Sequence, residues 1–189
     1  TPKETPVFYD DDPLNSPLAP LDVAGGENVQ LWGGIVILGS APTNLDDAAG
    51  VGYGKGIVEG LTVPGFPAVD ATYGGILPHD NSGVLSYVSI RHAGDEIGAG
   101  NELNGLTLAG VGDGTTINNI EVYCNFDDGI EWFGGTVNCQ YLHVAFAGDN
   151  SFDIDQGYNG TLQFLFGIMP FFNDGNGTAF GSKSGNKGC

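Results

Sequence analysis

Along the middle of this chain, apolar and polar residues alternate in short bursts that recur at a nearly fixed interval. Asn104-Gly-Leu-Thr-Leu-Ala-Gly110, Asp128-Gly-Ile-Glu-Trp-Phe-Gly134 and Asn150-Ser-Phe-Asp-Ile-Asp-Gln156 begin 24 and then 22 residues apart. Each opens on an amide or an acid, continues with a small residue and then alternates, which reads as one turn followed by one short strand. A second series lies upstream of the first: Val88-Ser-Ile-Arg-His92, Ile120-Glu-Val-Tyr-Cys124 and Leu142-His-Val-Ala-Phe146. Its last two members are again 22 apart and its first two are 32 apart, and relative to the next coil the turn from Ala93 to Leu103 carries eight additional residues as a loop. Leu31-Trp-Gly-Gly-Ile-Val-Ile-Leu38 reads as an earlier strand of the same stack, and Phe164, Phe166 and Ile168 as part of a fourth coil.

A strand-only repeat in the low twenties suits a three-sided coil of parallel strands better than a solenoid that contains helices. The predicted fold is therefore all-β, a right-handed parallel β-helix of about 22–24 residues per coil. One domain is expected over residues 29–180, interrupted by a long insertion at 40–82. Gly and Pro crowd that insertion, and a loop of this length in a compact protein is usually functional or an interaction element. Its Tyr53, Phe66 and Tyr73 could pack on the flank of the stack or form a lid over a ligand. Residues 1–28, with five prolines in the first twenty, read as an extended arm, and 181–189 as a flexible tail. Neither end shows an amphipathic capping helix, which suggests a fragment, a processed chain or a piece that stacks on something else.

Composition agrees, with 33 Gly in 189 residues and one Met. A net charge of −18, from 23 acids against 5 bases, argues against nucleic acid and anionic membranes as partners, because both require a basic footprint. No apolar run reaches the roughly 18 residues of a membrane span. An acidic chain of this kind fits an exported or cell-surface protein in salty or calcium-containing surroundings. Cys124 takes the inward parity of its strand, while Cys139 could approach it and Cys189 stands apart, so no disulfide can be assigned. Asn159-Gly-Thr161 and Asn176-Gly-Thr178 match glycosylation acceptors.

The chain resembles a group of secreted bacterial right-handed β-helix proteins, surface or lipoprotein-like, with a pectate-lyase-like solenoid. The resemblance rests on Leu31 to Gly39, Asp80-Asn-Ser-Gly-Val-Leu-Ser-Tyr-Val-Ser-Ile-Arg-His-Ala-Gly94, Asn101 to Gly112, Asp127 to Asn138 and Gly148 to Gly157, and it extends from about Pro6 to Met169. It implies the fold and export, and it implies little about chemistry, since one fold hosts many functions.

Stacked coils lie about 4.8 Å apart, so residues in one column are direct neighbours. Asn104, Asp128 and Asn150 form one column, a structural ladder in which amides flank a carboxylate. Beside it Asp127 lies over Asp149 and Glu131 over Asp153, with Asp155 farther along. Stacked carboxylates repel unless a cation or a proton sits between them. Three readings follow for Asp127, Glu131, Asp149, Asp153 and Asp155: a Ca2+ site, a glycoside-hydrolase pair of Glu131 and Asp153, or a solvated face. Asp95, Glu96 and Glu102 on the projecting turn form a second metal candidate, without EF-hand spacing. A polysaccharide lyase would need Lys or Arg in the repeats, where only Arg91 occurs, and its expected partner is Glu121. His92 is expected as a buried corner residue. The leading expectation is a non-catalytic module for structure, adhesion or assembly with other subunits, stiffened by calcium. Its rival is a polysaccharide-binding or polysaccharide-degrading protein acting on a cell-surface glycan.

Overall fold

The computed structural model describes residues 30–47, 50, 52–58, 61, 71–98, 101–168, 172–173 and 179–180. The arm expected at 1–28, the tail at 181–189, Phe66, Asn176 and Cys189 lie outside the described residues.

The alternating bursts form two stacks of parallel strands. One sheet runs β1 (Ile35–Leu38), β7 (Leu106–Ala109), β9 (Ile130–Phe133) and β11 (Phe152–Asp155). The other runs β4 (Val84–Arg91), β8 (Thr116–Tyr123), β10 (Cys139–Ala145) and β12 (Leu162–Ile168). Every neighbouring pair in both sheets is parallel and in register, so the chain is the expected β-helix.

The third side comes from a kink that alternation alone does not announce. Tyr87, Asn119, Tyr141 and Phe164 fall at equivalent points of β4, β8, β10 and β12, and all have φ between 52° and 61°. One left-handed residue per coil bends the second sheet into two faces and drops out of the pairing register. The other corners use the same device, with His92, Cys124 and Phe146 in one column and Gly110, Gly134 and Gln156 in another. Each kink also resets parity. In β12 the inward residues are therefore Leu162, Leu165 and Gly167, the register partners of Cys139, Leu142 and Val144.

Inside the prism the columns are apolar. Ile35, Leu106, Ile130 and Phe152 stack in one, Ile37, Leu108, Trp132 and Ile154 in the next, with Trp132 fully buried at the centre. Close coil packing explains the small second residue of the repeat. A Cβ on Gly129 would sit 2.4 Å from Val144 Cγ1 and 2.7 Å from the Ser151 carbonyl, and one on Gly105 would collide similarly with Val122 and the Gly129 carbonyl.

The insertion supplies an antiparallel hairpin of β2 (Lys55–Ile57) and β3 (Thr72–Gly74), which lies on the outside of the first sheet. There Tyr73 and Val58 cluster with Val36, Leu38, Ala109 and Phe133, and the Tyr73 ring stacks on Phe133 at 5.9 Å. Tyr73 therefore takes the flank-packing role, while Tyr53 stands exposed. The eight-residue expansion is a second antiparallel hairpin, β5 (Glu96–Gly98) with β6 (Asn101–Glu102), rather than an irregular loop. A third joins β13 (Phe172–Asn173) to β14 (Ala179–Phe180). Among the described residues no helix is long and apolar enough to cross a membrane.

Candidate acidic site between coils

The site grows from the corner that precedes the first sheet and from that sheet's outer face. Asn104, Asp128 and Asn150 occupy equivalent corner positions, each at most 6% exposed. Gly105 N donates to the Asp128 carbonyl and Gly129 N to the Asn150 carbonyl, so the column stacks by its backbone. The side chains do not form the amide–carboxylate–amide chain expected of them. Asp128 Oδ1 accepts the Asn150 backbone N–H at 2.7 Å. Asn104 Nδ2 instead reaches sideways, donating to Glu131 Oε2 at 2.5 Å and to Thr107 Oγ1 at 3.1 Å.

Glu131 and Asp153 are register partners on the outer face, as the column alignment requires, with Thr107 on the other side of Glu131. Carboxylate oxygens of Asp128, Glu131 and Asp153 lie within 4.8 Å of one another, and so do those of Asp127, Asp128 and Asp149. Asp128 joins the two groups. Sequence reasoning placed it in the ladder because strand parity stops at the corner and cannot say which way its side chain turns. Asp155 belongs to neither group and sits exposed beside Phe133.

Burial is the dominant electrostatic fact. It pushes the Asp128 carboxyl up to about 8 against the Asn150 N–H, which favours the ionised form, and the charges of Asp127, Asp153 and Asp149 push it further up. Glu131 is pushed up to about 9, first by burial and then by Asp128, with the Asn104 amide acting in the opposite direction. Both carboxyls therefore hold protons at neutral pH when nothing else neutralises them. The described cationic side chains other than histidine are Lys55 and Arg91. Arg91 is committed elsewhere, with Nη2 2.7 Å from Glu121 Oε2 and its guanidinium 5.0 Å from the centre of the Tyr123 ring. The Ser89 hydroxyl and Arg91 hold Glu121 below its ordinary value. Among the acidic columns Asp127, Glu131, Asp149 and Asp153 are half-buried and Asp155 is exposed, while Asp128 of the corner column is buried.

One further polar atom lies at this site without a partner. Asn104 Oδ1 is buried and accepts no hydrogen bond, although the nitrogen of the same amide touches Glu131. A buried acceptor left unpaired costs about 1–3 kcal/mol. Together with the carboxylates and Thr107 Oγ1 it forms a set of hard oxygen donors, the kind that suits calcium. Neither the orphan amide oxygen nor Thr107, 1% exposed on an outward-facing position, was legible as a site feature, because both follow from packing outside the sheet.

The remaining candidates lie apart. Glu96 and Glu102 are backbone partners in the β5–β6 hairpin, and the side chain of Glu102 is outside the described residues. Asp95 is tied by its backbone to Trp32 and Leu103. His92 is half-buried, edge-on to Tyr123 at 6.0 Å. Cys124 and Cys139 are free, buried thiols, pushed up to about 11 and about 12 by burial. Asn159 is exposed.

Comparison with the curated proteins and with the solved structures found no match. A family model described as a pectate-lyase-like β-helix domain matches residues 23–187, nearly the whole chain. With its parallel coils and its fully stacked apolar core, the chain belongs to the pectate-lyase-like β-helix family.

Proposed function

We propose that this chain is a non-catalytic β-helix module, exported or displayed at a cell surface, whose acidic corner takes up Ca2+ and thereby stiffens the joint between consecutive coils. Domains of this family are often extracellular, where calcium is plentiful. The observation that carries the reading is the convergence of Asp128, Glu131 and Asp153 from two coils on one point beside the orphaned Asn104 Oδ1. Asn104, Asp128, Glu131 and Asp153 would hold the ion, with Asp127 and Asp149 extending the site on the far side of Asp128. A divalent cation supplies positive charge that neither of the described cationic side chains, Lys55 and Arg91, is seen to place there, so the carboxylates can ionise without repelling one another. Titration calorimetry with calcium chloride tests this: heat of binding is expected from the native chain and is expected to vanish in Asp128→Asn/Glu131→Gln. A native chain that evolves no binding heat contradicts the proposal.

The second reading, a polysaccharide hydrolase, draws support from Glu131. A carboxyl kept protonated at neutral pH is what a general acid requires, and Asp153 stands beside it. A lyase is less well supported, because Arg91 faces another side of the prism and is paired with Glu121. Glycan turnover lost in both Glu131→Gln and Asp153→Asn would favour the hydrolase, and a glycan panel left intact by the native chain would remove it.

A further inference from the structure

We infer that Asn159 is a site of spontaneous covalent modification, at which the backbone nitrogen of Gly160 displaces the side-chain amide and leaves an aspartyl or isoaspartyl linkage in the chain. The corner concerned joins β11 to β12 and carries none of the acidic residues of the cation site.

Asparagine is a thermolabile residue, and a glycine after it removes the Cβ that would otherwise hinder the backbone nitrogen and restrict its approach. The described residues hold two such pairs, Asn104-Gly105 and Asn159-Gly160. The first is shut off. Asn104 is 5% exposed, its Nδ2 donates to Thr107 Oγ1 and to Glu131 Oε2, and the Gly105 N–H donates to the Asp128 carbonyl at 2.9 Å. Attack there requires breaking these bonds and admitting water to a buried corner. Asn159 differs at each point: it is exposed, and among the described residues neither its side-chain amide nor the Gly160 N–H is in a hydrogen bond. Asn81 and Asn138 are exposed as well, but they precede Ser82 and Cys139, and each commits its Oδ1 to a backbone N–H, of Gly83 and Thr161 respectively.

Packing holds the glycine in place. A Cβ at residue 160 would lie 2.1 Å from the Val137 carbonyl oxygen and 2.4 Å from the Tyr158 hydroxyl, so the corner demands the residue that makes its neighbour reactive. The step needs water and no other protein group. The Gly160 nitrogen gives up its proton and bonds to Asn159 Cγ, the Cγ–Nδ2 bond breaks, and the leaving nitrogen takes a proton and departs as ammonia. Water then opens the resulting succinimide at either carbonyl, giving an aspartyl residue or an isoaspartyl residue whose main chain runs through the former side chain. Both products add a carboxylate to a chain of net charge −18. The isoaspartyl form also lengthens the main chain by one carbon between two tethers of this corner, Asn159 N to the Gly135 carbonyl and Thr161 N to Asn138 Oδ1, both 2.9 Å. The next bond, Cys139 N to the Thr161 carbonyl, begins the join of β10 to β12.

Peptide mapping by mass spectrometry of the full chain, incubated folded at mildly alkaline pH in isotopically labelled water and compared with a sample unfolded in urea, reads the modification directly. In the folded chain Asn159 is expected to exchange its amide nitrogen for one labelled oxygen and to yield both aspartyl and isoaspartyl peptides, while Asn104 stays intact; in urea both residues are expected to react. The incubated native chain should melt lower than the fresh one, and Asn159→Gln, whose longer side chain would have to close a larger ring, should start from the native melting temperature and keep it through the same incubation. An Asn159 that survives in the folded chain, that reacts there no faster than Asn104, or that yields the aspartyl peptide alone overturns the inference. Equal melting temperatures before and after modification overturn the disturbance of the β12 corner.

Discussion

Asn104 and Glu131 belong to consecutive coils, and the amide of the first donates to the carboxyl of the second at 2.5 Å while its own oxygen is left buried without a partner. The contact ties the corner column to the outer-face column, so two features that look separate along the chain form one site. It also fixes the protonation problem: Glu131 accepts one hydrogen bond, has Asp128 beside it, and is half-buried.

Stability should therefore fall as pH rises through the neutral range in the absence of divalent cations. In the unfolded chain Asp128 and Glu131 titrate at about 4, whereas in the fold they are held up to about 8 and about 9. Between those limits the native state binds more protons than the unfolded state, so stability is greatest below about pH 4 as far as these groups are concerned and declines towards about pH 9. Urea midpoints measured across this range in EDTA should show the decline, and Glu131→Gln should flatten it. A midpoint indifferent to pH in the native chain would show that the two carboxyls are not buried as described.

Gly129→Ala should destabilise the chain by about 1–3 kcal/mol, the usual cost of forcing a methyl group into a packed interior. The added carbon would meet both Val144 and the Ser151 carbonyl, and the second is backbone that cannot swing aside. Chemical denaturation measures the loss; an unchanged midpoint would mean that the coils are spaced more loosely than their register indicates.

Trp132→Ala should cost about 3–5 kcal/mol, because the indole is fully buried and packs against Phe152 and Tyr158, so its removal leaves a cavity. The same denaturation experiment reads it. A loss below about 1 kcal/mol would place the ring outside the core.

At the kink, Asn119 has φ 52°, a conformation that costs a β-branched residue more than an asparagine. Asn119→Val should lose about 1–2 kcal/mol and Asn119→Gly should stay within about 1 kcal/mol of the native chain, a contrast that side-chain contacts alone would not produce.

The coil length, the order of strands and the pairing of Glu131 with Asp153 were legible because each follows from one period and one parity. The kinks were not. Tyr87, Tyr141 and Phe164 are ordinary strand residues in composition, so nothing in the sequence marks them as left-handed, and alternation read straight through Leu162 to Ile168 points the wrong residues inward. The Arg91–Glu121 pair was legible because both lie on the same side of their kinks. Asp128 as the hinge between two carboxylate groups was not, since its role depends on a corner side chain and on what covers the outer face. The insertion hid Tyr73 for a similar reason: its hydroxyl reaches Gln156 across 83 residues of sequence.

The most direct measurement of the central claim is the melting temperature of the full chain in EDTA and in excess calcium, alongside Asp128→Asn/Glu131→Gln under the same conditions. A ligand at about 100 times its dissociation constant stabilises the native state by about 2.7 kcal/mol. For a chain of this size that corresponds to a rise of about 5–10 °C. The account predicts such a rise in the native chain and none in the double variant. Equal melting temperatures with and without calcium in the native chain, or an undiminished rise in the variant, would contradict it.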